Sequence, residues 1–305
     1  MRGVTKRYGN FTALDDVSVE IEENMIHGLL GRNGAGKTTM MQLLTAQNFA
    51  TAGAIEVFGE EPYENAGVLS RTCFIREALK YPDNYRPHHA LRAAAMVYPN
   101  WDAAFAESLV EEFAVPRKRA IKKLSRGQLS AVGVIIGLAS RAPLTFFDEP
   151  YLGLDAVARQ TFYDRLLADY AEHPRTVVLS THLIDEVSDL IEHVVLIDKG
   201  RILIDEDAEV LRGRAVTVTG PARAVEAFAA GHTELHREQL GGFLRVTLSG
   251  ASGGRVEVQP SLGAQGLEFE PVSLQQLVVR TTQQNSGPAD ADLAVAGASN
   301  GKGLS

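Results

Sequence analysis

Residues 31–38 read Gly-Arg-Asn-Gly-Ala-Gly-Lys-Thr, a combination of glycines, one lysine and one hydroxyl group that suits phosphate binding. Glycines let the backbone curl so that consecutive N–H groups point inward at phosphate oxygens. Lys37 can reach the terminal phosphates of a nucleotide, and the Thr38 hydroxyl can bind Mg²⁺. An apolar run at 26–30 precedes the segment and a helical pattern at 39–46 follows it, so a helix aims its positive end at the same anion. The alternative is a glycine-rich turn that binds nothing.

Two carboxylates end another apolar run. Asp148 and Glu149 directly follow residues 144–147, which read Leu-Thr-Phe-Phe. At the end of such a strand, Asp148 can hold Mg²⁺ through water while Glu149 points toward the terminal phosphate. Glu149 would then act as the general base that orients or deprotonates the attacking water. Taken alone, the pair is equally well explained as a solvated acidic strand end; the glycine-rich segment favours the catalytic interpretation.

A third candidate is the helix start Leu-Ser-Arg-Gly-Gln. Ser125 is predicted to cap this helix and Gly127 to allow another group to approach closely. By itself the pattern favours a capped, buried helix over a ligand site. Its place in the chain changes that balance, because Ser125 lies 88 residues after Lys37 and 23 before Asp148. His182 follows Asp148 by 34 residues, directly after another apolar strand.

These candidates lie between residue 18 and about residue 204, where β-type apolar runs alternate with helical patterns. Such alternation predicts a mostly parallel sheet built from strand–helix–strand units. Strands of this kind are covered on both faces and are continuously apolar. The runs that fit are residues 26–30, 144–147, 176–179 and 194–197. Residues 54–58 are predicted to belong to an antiparallel subsheet.

Other segments have a different character. We predict a helical subdomain at about residues 79–140, in which Asp102 caps a helix. Residues 209–282 are predicted to form a small C-terminal α+β domain. Its predicted elements are strands at 215–219, 243–248 and 255–258 and a helix at 221–229. Residues 283–305 contain no aromatic side chain and little periodicity, so we predict that this tail is disordered.

Composition excludes several classes of protein. The 305 residues carry 30 Lys and Arg against 38 Asp and Glu, a net charge of −8 that gives no reason to bind nucleic acid. The single cysteine, Cys73, rules out an internal disulfide. The N-terminus lacks the apolar core of a signal peptide, and the longest apolar run, residues 131–139, is about half of the roughly 20 residues that a membrane span needs. We therefore expect a chain that does not cross a membrane by itself.

Taken in order, the phosphate loop, the Leu-Ser-x-Gly-Gln signature, the strand ending in Asp-Glu and the histidine resemble the nucleotide-binding subunits of ABC transporters. The resemblance covers about residues 1–208. It implies an α/β fold with a P-loop NTPase core, in which a mostly parallel sheet is accompanied by an antiparallel β-subdomain and a helical insertion. It also implies hydrolysis of ATP with Mg²⁺. Residues 98–102 and 273–277 resemble the bacterial export-type branch.

The resemblance assigns roles to individual residues. It makes Glu149 and His182 catalytic, with His182 bonded to the γ-phosphate, and it makes Tyr8 the aromatic that stacks on adenine. The residues expected around Mg²⁺ are Thr38, Asp148 and Glu77. The residues expected to contact or sense the nucleotide are Tyr8, Gly31, Asn33, Gly34, Ala35, Gly36, Lys37, Thr38, Thr39, Glu77, Ser125, Gly127, Gln128 and Asp155.

Two positions depart from the family pattern. Glu77 stands where the family usually has Gln, and its charge beside ATP is expected to alter affinity. Arg126 replaces the first Gly of the signature pair, which leaves Gly127 intact and predicts altered contacts. These departures keep open one alternative, a hydrolysis-poor regulatory module that uses ATP as a dimer clamp.

The resemblance also implies partners. A second nucleotide-binding subunit pairs head to tail, so that Ser125 and Gly127 contact the γ-phosphate held by the other chain, and Asp155 communicates across the interface. A membrane-spanning permease docks on the helical subdomain and holds the chain at the cytoplasmic face of the membrane. Nucleic acid is not an expected partner. The remaining alternative, a soluble ABC-type ATPase acting on nucleic acid, is disfavoured because 88 residues between Lys37 and Ser125 leave no room for a long coiled coil.

Overall fold

The computed structural model describes residues 1–76, 80–250 and 266–285. The chain divides into two compact units, Met1–Asp205 and Glu206–Ser305. This division lies three residues before the boundary at 208 that the sequence predicts. Residues 77–79, 251–265 and 286–305 lie outside the described residues, and with them the predictions for Glu77, for a strand at 255–258 and for most of the tail.

A six-stranded sheet organises the first unit, in the order β5-β6-β7-β3-β8-β9. Its strands are β3 (Ile26–Leu30), β5 (Thr72–Arg76), β6 (Leu144–Asp148), β7 (Thr176–Thr181), β8 (His193–Asp198) and β9 (Arg201–Asp207). From β5 to β8 every neighbouring pair is parallel. All residues of β3, β6 and β7 are buried, as expected for apolar strands covered on both faces. The α/β fold predicted from the sequence is therefore confirmed.

The register of the central strands brings their carboxyl ends to one edge of the sheet. Leu30 pairs with Thr181, and Asp148 pairs with Ser180. Each of these strands ends at one of the candidate site segments predicted from the sequence. The sheet thus places the glycine-rich loop, the carboxylate pair and His182 side by side, although they are far apart in sequence.

A second, three-stranded antiparallel sheet has the order β2-β1-β4. Its strands are β1 (Arg2–Tyr8), β2 (Phe11–Val17) and β4 (Ala52–Ala54). The predicted strand at 54–58 is therefore misplaced: β4 ends at Ala54, and beyond it only an isolated bridge joins Val57 to Glu60. Gly53 explains the earlier position, because a Cβ there would lie 2.4 Å from the Gly3 carbonyl oxygen of β1.

Helices cover the sheet and form the insertion. They are α1 (Lys37–Leu44), α2 (Ala66–Leu69), α3 (Pro87–Val97), α4 (Ala103–Glu112), α5 (Arg126–Ala139), α6 (Ala156–Glu172) and α7 (Ile184–Val187), with a short 3-10 helix at Ile121–Lys123. The Asp102 carboxylate accepts the Phe105 N–H at 2.8 Å and caps α4, as predicted. Helix α5 is buried on every side over its last ten residues, which explains its continuous apolar sequence. Among the described residues, no helix combines the length and the apolar character that crossing a bilayer requires.

The second unit holds the antiparallel sheet β11-β12-β10-β13. Its elements are α8 (Ala208–Arg214), β10 (Ala215–Pro221), α9 (Ala222–Ala229), β11 (Thr233–Leu240), β12 (Phe243–Ser249), β13 (Glu268–Pro271) and α10 (Leu274–Asn285). Its core unites β10, α9 and β12 through Val218, Val225 and Val246. Helix α10 ends at Asn285, three residues into the segment that the sequence predicts to be disordered.

A buried ionic cluster lies at the end of α6. The Asp169 carboxylate accepts two hydrogen bonds from Arg141, at 3.1 and 2.8 Å, and lies 2.7 Å from Nη1 of Arg175. Asp169 and Arg175 are nearly fully buried, and Arg141 also pairs with Asp102 at 2.9 Å. Two guanidinium groups therefore share one interior carboxylate, and burial lowers the pKa of Arg175.

We expect Asp169→Asn to destabilise the protein by about 3–5 kcal/mol, because it leaves Arg175 buried without its counterion. The measurement is the free energy of unfolding from denaturant titration of the full chain. Glu112→Gln is the control, since it removes a partially exposed pair with Arg165 at 2.7 Å and should cost less than about 1 kcal/mol. Equal losses for the two variants would contradict a structural role for the cluster.

Candidate functional site

The glycine-rich loop has the backbone that phosphate binding needs. Gly31, Gly34 and Gly36 all have positive φ, at 150°, 79° and 118°. A Cβ on Gly31 would lie 2.2 Å from the Ile197 carbonyl oxygen, so only glycine fits that position without a shift. Because α1 begins at Lys37, the loop opens directly onto the N-terminal end of a helix.

Lys37 is held inside this loop. Its ammonium group donates hydrogen bonds to the carbonyl oxygens of Gly31 at 2.7 Å and Arg32 at 3.3 Å. It also lies 3.5 Å from Oε1 of Glu149, and its side chain is only 5% exposed. The lysine charge is thus placed between the phosphate loop and the carboxylate pair.

Asp148 joins the phosphate loop to the neighbouring strand. Its Oδ2 accepts the Thr38 hydroxyl at 2.7 Å, and its Oδ1 accepts the Ser180 hydroxyl at 2.8 Å. Ser180 in turn accepts the Glu149 N–H at 3.1 Å. Ser180 is not among the site residues predicted from the sequence, although it is a polar residue near the carboxyl end of a strand that neighbours β6.

Glu149 lies between two basic groups. Besides Lys37, Nδ1 of His182 lies 3.2 Å from its Oε2. The backbone of Glu149 is in the left-handed region with φ of 48°, which costs of order 1–3 kcal/mol for a residue with a side chain. Backbone strain of this size persists where the surrounding structure enforces it, and it often marks an active site.

His182 follows β7 and faces the phosphate loop. It is partly exposed and lines a cavity of about 500 Å³ together with Asn33, Gly34 and Ala35. Nδ1 of His182 lies 3.0 Å from the hydroxyl oxygen of Tyr151, a buried residue that is not among those predicted from the sequence. The structure therefore brings together Lys37, Thr38, Asp148, Glu149 and His182.

The signature segment is a separate structure at the start of α5. The Ser125 hydroxyl accepts the Gln128 N–H and the Gln128 side chain accepts the Ser125 N–H, both at 3.2 Å. This capping box agrees with the predicted N-cap and leaves Ser125 exposed. A Cβ on Gly127 would lie 2.5 Å from the Gly153 carbonyl oxygen, which is the predicted close approach. None of these contacts reaches the phosphate loop of the same chain.

Asp155 and Tyr8 also make contacts with residues of this chain. The Asp155 carboxylate accepts the Ala158 N–H at 2.8 Å and caps α6. Tyr8 is 45% exposed, accepts a hydrogen bond from the side-chain amide of Asn48, and lies beneath the Lys6 ammonium, 4.8 Å from the ring centroid. Tyr8 and Asp155 are therefore both exposed, and the contacts of each are made within this chain.

The residues at the site fit a magnesium ion that is shared with phosphate. Mg²⁺ in nucleotide sites takes one or two protein oxygens and fills its other positions with phosphate oxygens and water. The Thr38 hydroxyl and the Asp148 carboxylate supply such a pair, already in contact. In the described part of the chain there is no group of three or more His, Cys, Asp and Glu that could hold a metal without a substrate.

Comparison with known proteins identifies the family. The model of the family described as "ABC transporter" matches residues 14–152. The chain is 31% identical over 223 residues to the doxorubicin resistance ATP-binding protein DrrA of Mycobacterium tuberculosis, covering 70% of this chain and 67% of DrrA. It is 26% identical over 218 residues to the ABC transporter ATP-binding protein YtrB of Bacillus subtilis, covering 72% and 75%. It is 29% identical over 203 residues to the bacitracin transport ATP-binding protein BcrA of Bacillus licheniformis, covering 66% of each.

Solved structures agree on the fold. The ATP-binding subunit of an ABC transporter superposes with a TM-score of 0.63 at 24% identity, covering 69% of this chain and 90% of that one. A dimeric ATP-binding cassette in a post-hydrolysis state, bound to ADP and Pi, superposes with a TM-score of 0.59 at 19% identity, covering 68% and 97%. The chain therefore belongs to the ABC transporter family and is one of its ATP-binding ATPase subunits.

Proposed function

We propose that this ATPase hydrolyses magnesium-bound ATP to energise a separate membrane-spanning partner, in the direction of export. The observation that carries the proposal is the meeting of three segments at one sheet edge: the phosphate loop, the carboxylate pair and His182. Lys37 contacts Glu149, Glu149 contacts His182, and Thr38 contacts Asp148. A site that only recognised nucleotide would not need a carboxylate held under strain between two basic groups.

Each group has a distinct task in this proposal. Lys37 and the loop N–H groups bind the β- and γ-phosphates; Thr38 and Asp148 would hold Mg²⁺, which would neutralise charge on the phosphate oxygens. Glu149 accepts a proton from the attacking water while the water oxygen bonds to the γ-phosphorus. The bond from that phosphorus to the β–γ bridging oxygen breaks, which leaves ADP and inorganic phosphate. His182 donates a hydrogen bond to the γ-phosphate and keeps the water aligned.

The remaining site residues are proposed to act between two chains. Ser125, Gly127 and Gln128 would contact the γ-phosphate bound by a second subunit, while Asp155 would contact the partner across the interface. The exposure of Ser125 and its separation from the phosphate loop of its own chain support this role. Tyr8 would stack on adenine, which is worth about 0.5–1.5 kcal/mol beyond the buried area. Glu77 lies outside the described residues, and its proposed contact with Mg²⁺ rests on the family resemblance.

Transport is supported by the relatives, and export by one of them, a Nod factor export ATP-binding protein of Mesorhizobium japonicum that is 29% identical over 218 residues. DrrA is a drug resistance protein and BcrA a bacitracin transport protein, and both are ATP-binding proteins. We propose that this chain works in the same way, held at the cytoplasmic face of the cell membrane by a permease that binds the helical subdomain.

Co-purification tests this proposal. Affinity-tagged chain, isolated from detergent-solubilised membranes of its own cell, should retain a protein with several membrane spans, and ATP hydrolysis should rise when that protein is present. In inside-out vesicles containing both proteins, ATP should drive accumulation of the transported molecule in the lumen, whereas import would require right-side-out vesicles. A chain that carries no membrane protein, and whose ATPase rate is the same with or without membranes, would refute the proposal.

A further inference from the structure

Tyr151 connects the carboxylate pair to the histidine. It lies two residues after Glu149, and its side chain is only 2% exposed. Three polar atoms surround its hydroxyl oxygen: Oγ1 of Thr181 at 3.1 Å, the backbone nitrogen of His182 at 3.0 Å and Nδ1 of His182 at 3.0 Å. The ring centroids of Tyr151 and His182 are 5.6 Å apart and meet edge to face. Two of the three polar neighbours of this buried phenol therefore belong to His182.

The hydrogen atoms around this phenol can be assigned by counting. A tyrosine hydroxyl has one hydrogen to donate and two lone pairs to accept with. The backbone N–H of His182 uses one lone pair. The Thr181 hydroxyl donates to the other at 3.1 Å, while its own oxygen accepts the Leu183 N–H at 2.9 Å. The phenol hydrogen is then left for the third neighbour, Nδ1 of His182.

We propose that Tyr151 is a positioning residue that fixes neutral His182 as the tautomer with its hydrogen on Nε2. Nδ1 must present a lone pair to the phenol hydrogen, so the imidazole hydrogen can reside only on the other nitrogen. The imidazole then offers an N–H donor on the side away from Tyr151. The use of that donor on the γ-phosphate rests on the proposed function, whereas the tautomer itself does not.

Glu149 competes for the same nitrogen. Its Oε2 lies 3.2 Å from Nδ1 and would favour the opposite tautomer, with a hydrogen on Nδ1. That arrangement would take away the Nδ1 acceptor of the buried phenol hydrogen, whereas Glu149 keeps the Lys37 ammonium at 3.5 Å when it receives no hydrogen from His182. Burial raises the pKa of Tyr151 to about 12, and the nearby charges of Glu149 and Glu186 act in the same direction, so the phenol keeps its hydrogen.

Nitrogen NMR of the nucleotide-free full chain, with ¹⁵N-labelled histidine, reads the tautomer directly. The signals of His182 are assigned by their loss in His182→Gln. We expect a protonated Nε2 and an unprotonated Nδ1 in the wild type at a pH where the imidazole is neutral. In Tyr151→Phe we expect the hydrogen to move to Nδ1, where Glu149 accepts it. A hydrogen on Nδ1 in the wild type, or unchanged signals in Tyr151→Phe, would overturn the assignment.

Kinetics then separate positioning from simple loss of structure. We expect Tyr151→Phe to lower kcat about tenfold and to change KM for ATP less than about twofold, since one hydrogen bond is worth about one power of ten in rate. Tyr163→Phe is the matched control, because Tyr163 is equally buried and its hydroxyl has no hydrogen-bond partner among the described residues. Equal kcat in the two variants would remove the positioning role. If His182→Gln leaves turnover unchanged, the proposed contact with the γ-phosphate fails while the tautomer assignment stands.

Discussion

Replacement of Glu149 by Gln should lower kcat by about 10²–10⁴ while ATP still binds, which is the range that general bases contribute. The amide has nearly the same shape as the carboxylate but cannot accept a proton from water. Lys37, Thr38 and the loop N–H groups remain in place, so affinity for ATP should persist or increase as the negative charge disappears. The measurements are steady-state phosphate release and equilibrium binding of ATP in the presence of Mg²⁺.

Glu186→Gln is the control for the loss of one carboxylate near the site. Glu186 pairs with Arg159 at 3.1 Å and raises the pKa of Tyr151, but it makes no contact with the phosphate loop among the described residues. Its variant should turn over ATP at close to the wild-type rate. Wild-type turnover in Glu149→Gln would remove Glu149 from the role of base. If the wild type releases no phosphate in a single-turnover experiment, the alternative of a regulatory module that uses ATP as a dimer clamp would be favoured instead.

The segments that meet at this site are recognisable in the sequence, because the residues of each are concentrated in a short, contiguous stretch. A phosphate loop needs glycines, a lysine and a hydroxyl in one stretch between a strand and a helix, and all of these are visible without a structure. The buried strands β3 and β6 are continuously apolar, so their ends can be located from the sequence. Since parallel strands end at the same edge, the contacts of Lys37 and Thr38 with the carboxylate pair follow from the topology.

Contacts between distant segments could not be predicted in the same way. Ser180 and Tyr151 are polar or aromatic residues of ordinary type, and only the register of β6 against β7 reveals that they hold Asp148 and His182. The cluster around Asp169 is similar, because an acidic residue on a helix is usually solvated and nothing local predicts its two guanidinium partners. The positive φ of Glu149 could not be predicted either, because that backbone region is uncommon for residues other than glycine.

The signature helix α5 and the segment that follows Glu149 are linked within one chain. The Ser130 hydroxyl on α5 donates to the Leu152 carbonyl oxygen at 2.6 Å, and Gly127 packs against Gly153. Leu152 and Gly153, the residues that contact α5, therefore lie only three and four positions after Glu149. If the start of α5 contacts the nucleotide of a second subunit, Glu149 lies beside the nucleotide of its own chain and is joined to the second nucleotide through this short segment.

Mixing two inactive variants should restore activity if the nucleotide lies between two chains. Lys37→Ala disables the phosphate loop, and Ser125→Glu places a negative charge where the partner's γ-phosphate would bind. Each variant alone should lose at least about 10²-fold in turnover, because both sites of its symmetric dimer carry the defect. In a mixed dimer, one site carries both defects and the other carries none.

An equal mixture should therefore regain about a quarter of the wild-type activity, since half of the dimers are mixed and each has one intact site of two. The measurement is phosphate release after the two proteins are mixed and allowed to exchange subunits. Lys37→Ala mixed with Thr38→Val is the control: both changes lie in the phosphate loop, so every site remains defective and no activity should return. Rescue in the first mixture but not in the second requires Ser125 to act on the nucleotide of its neighbour. Equal failure of both mixtures, with exchange verified, would mean that no intact site is formed between the two chains.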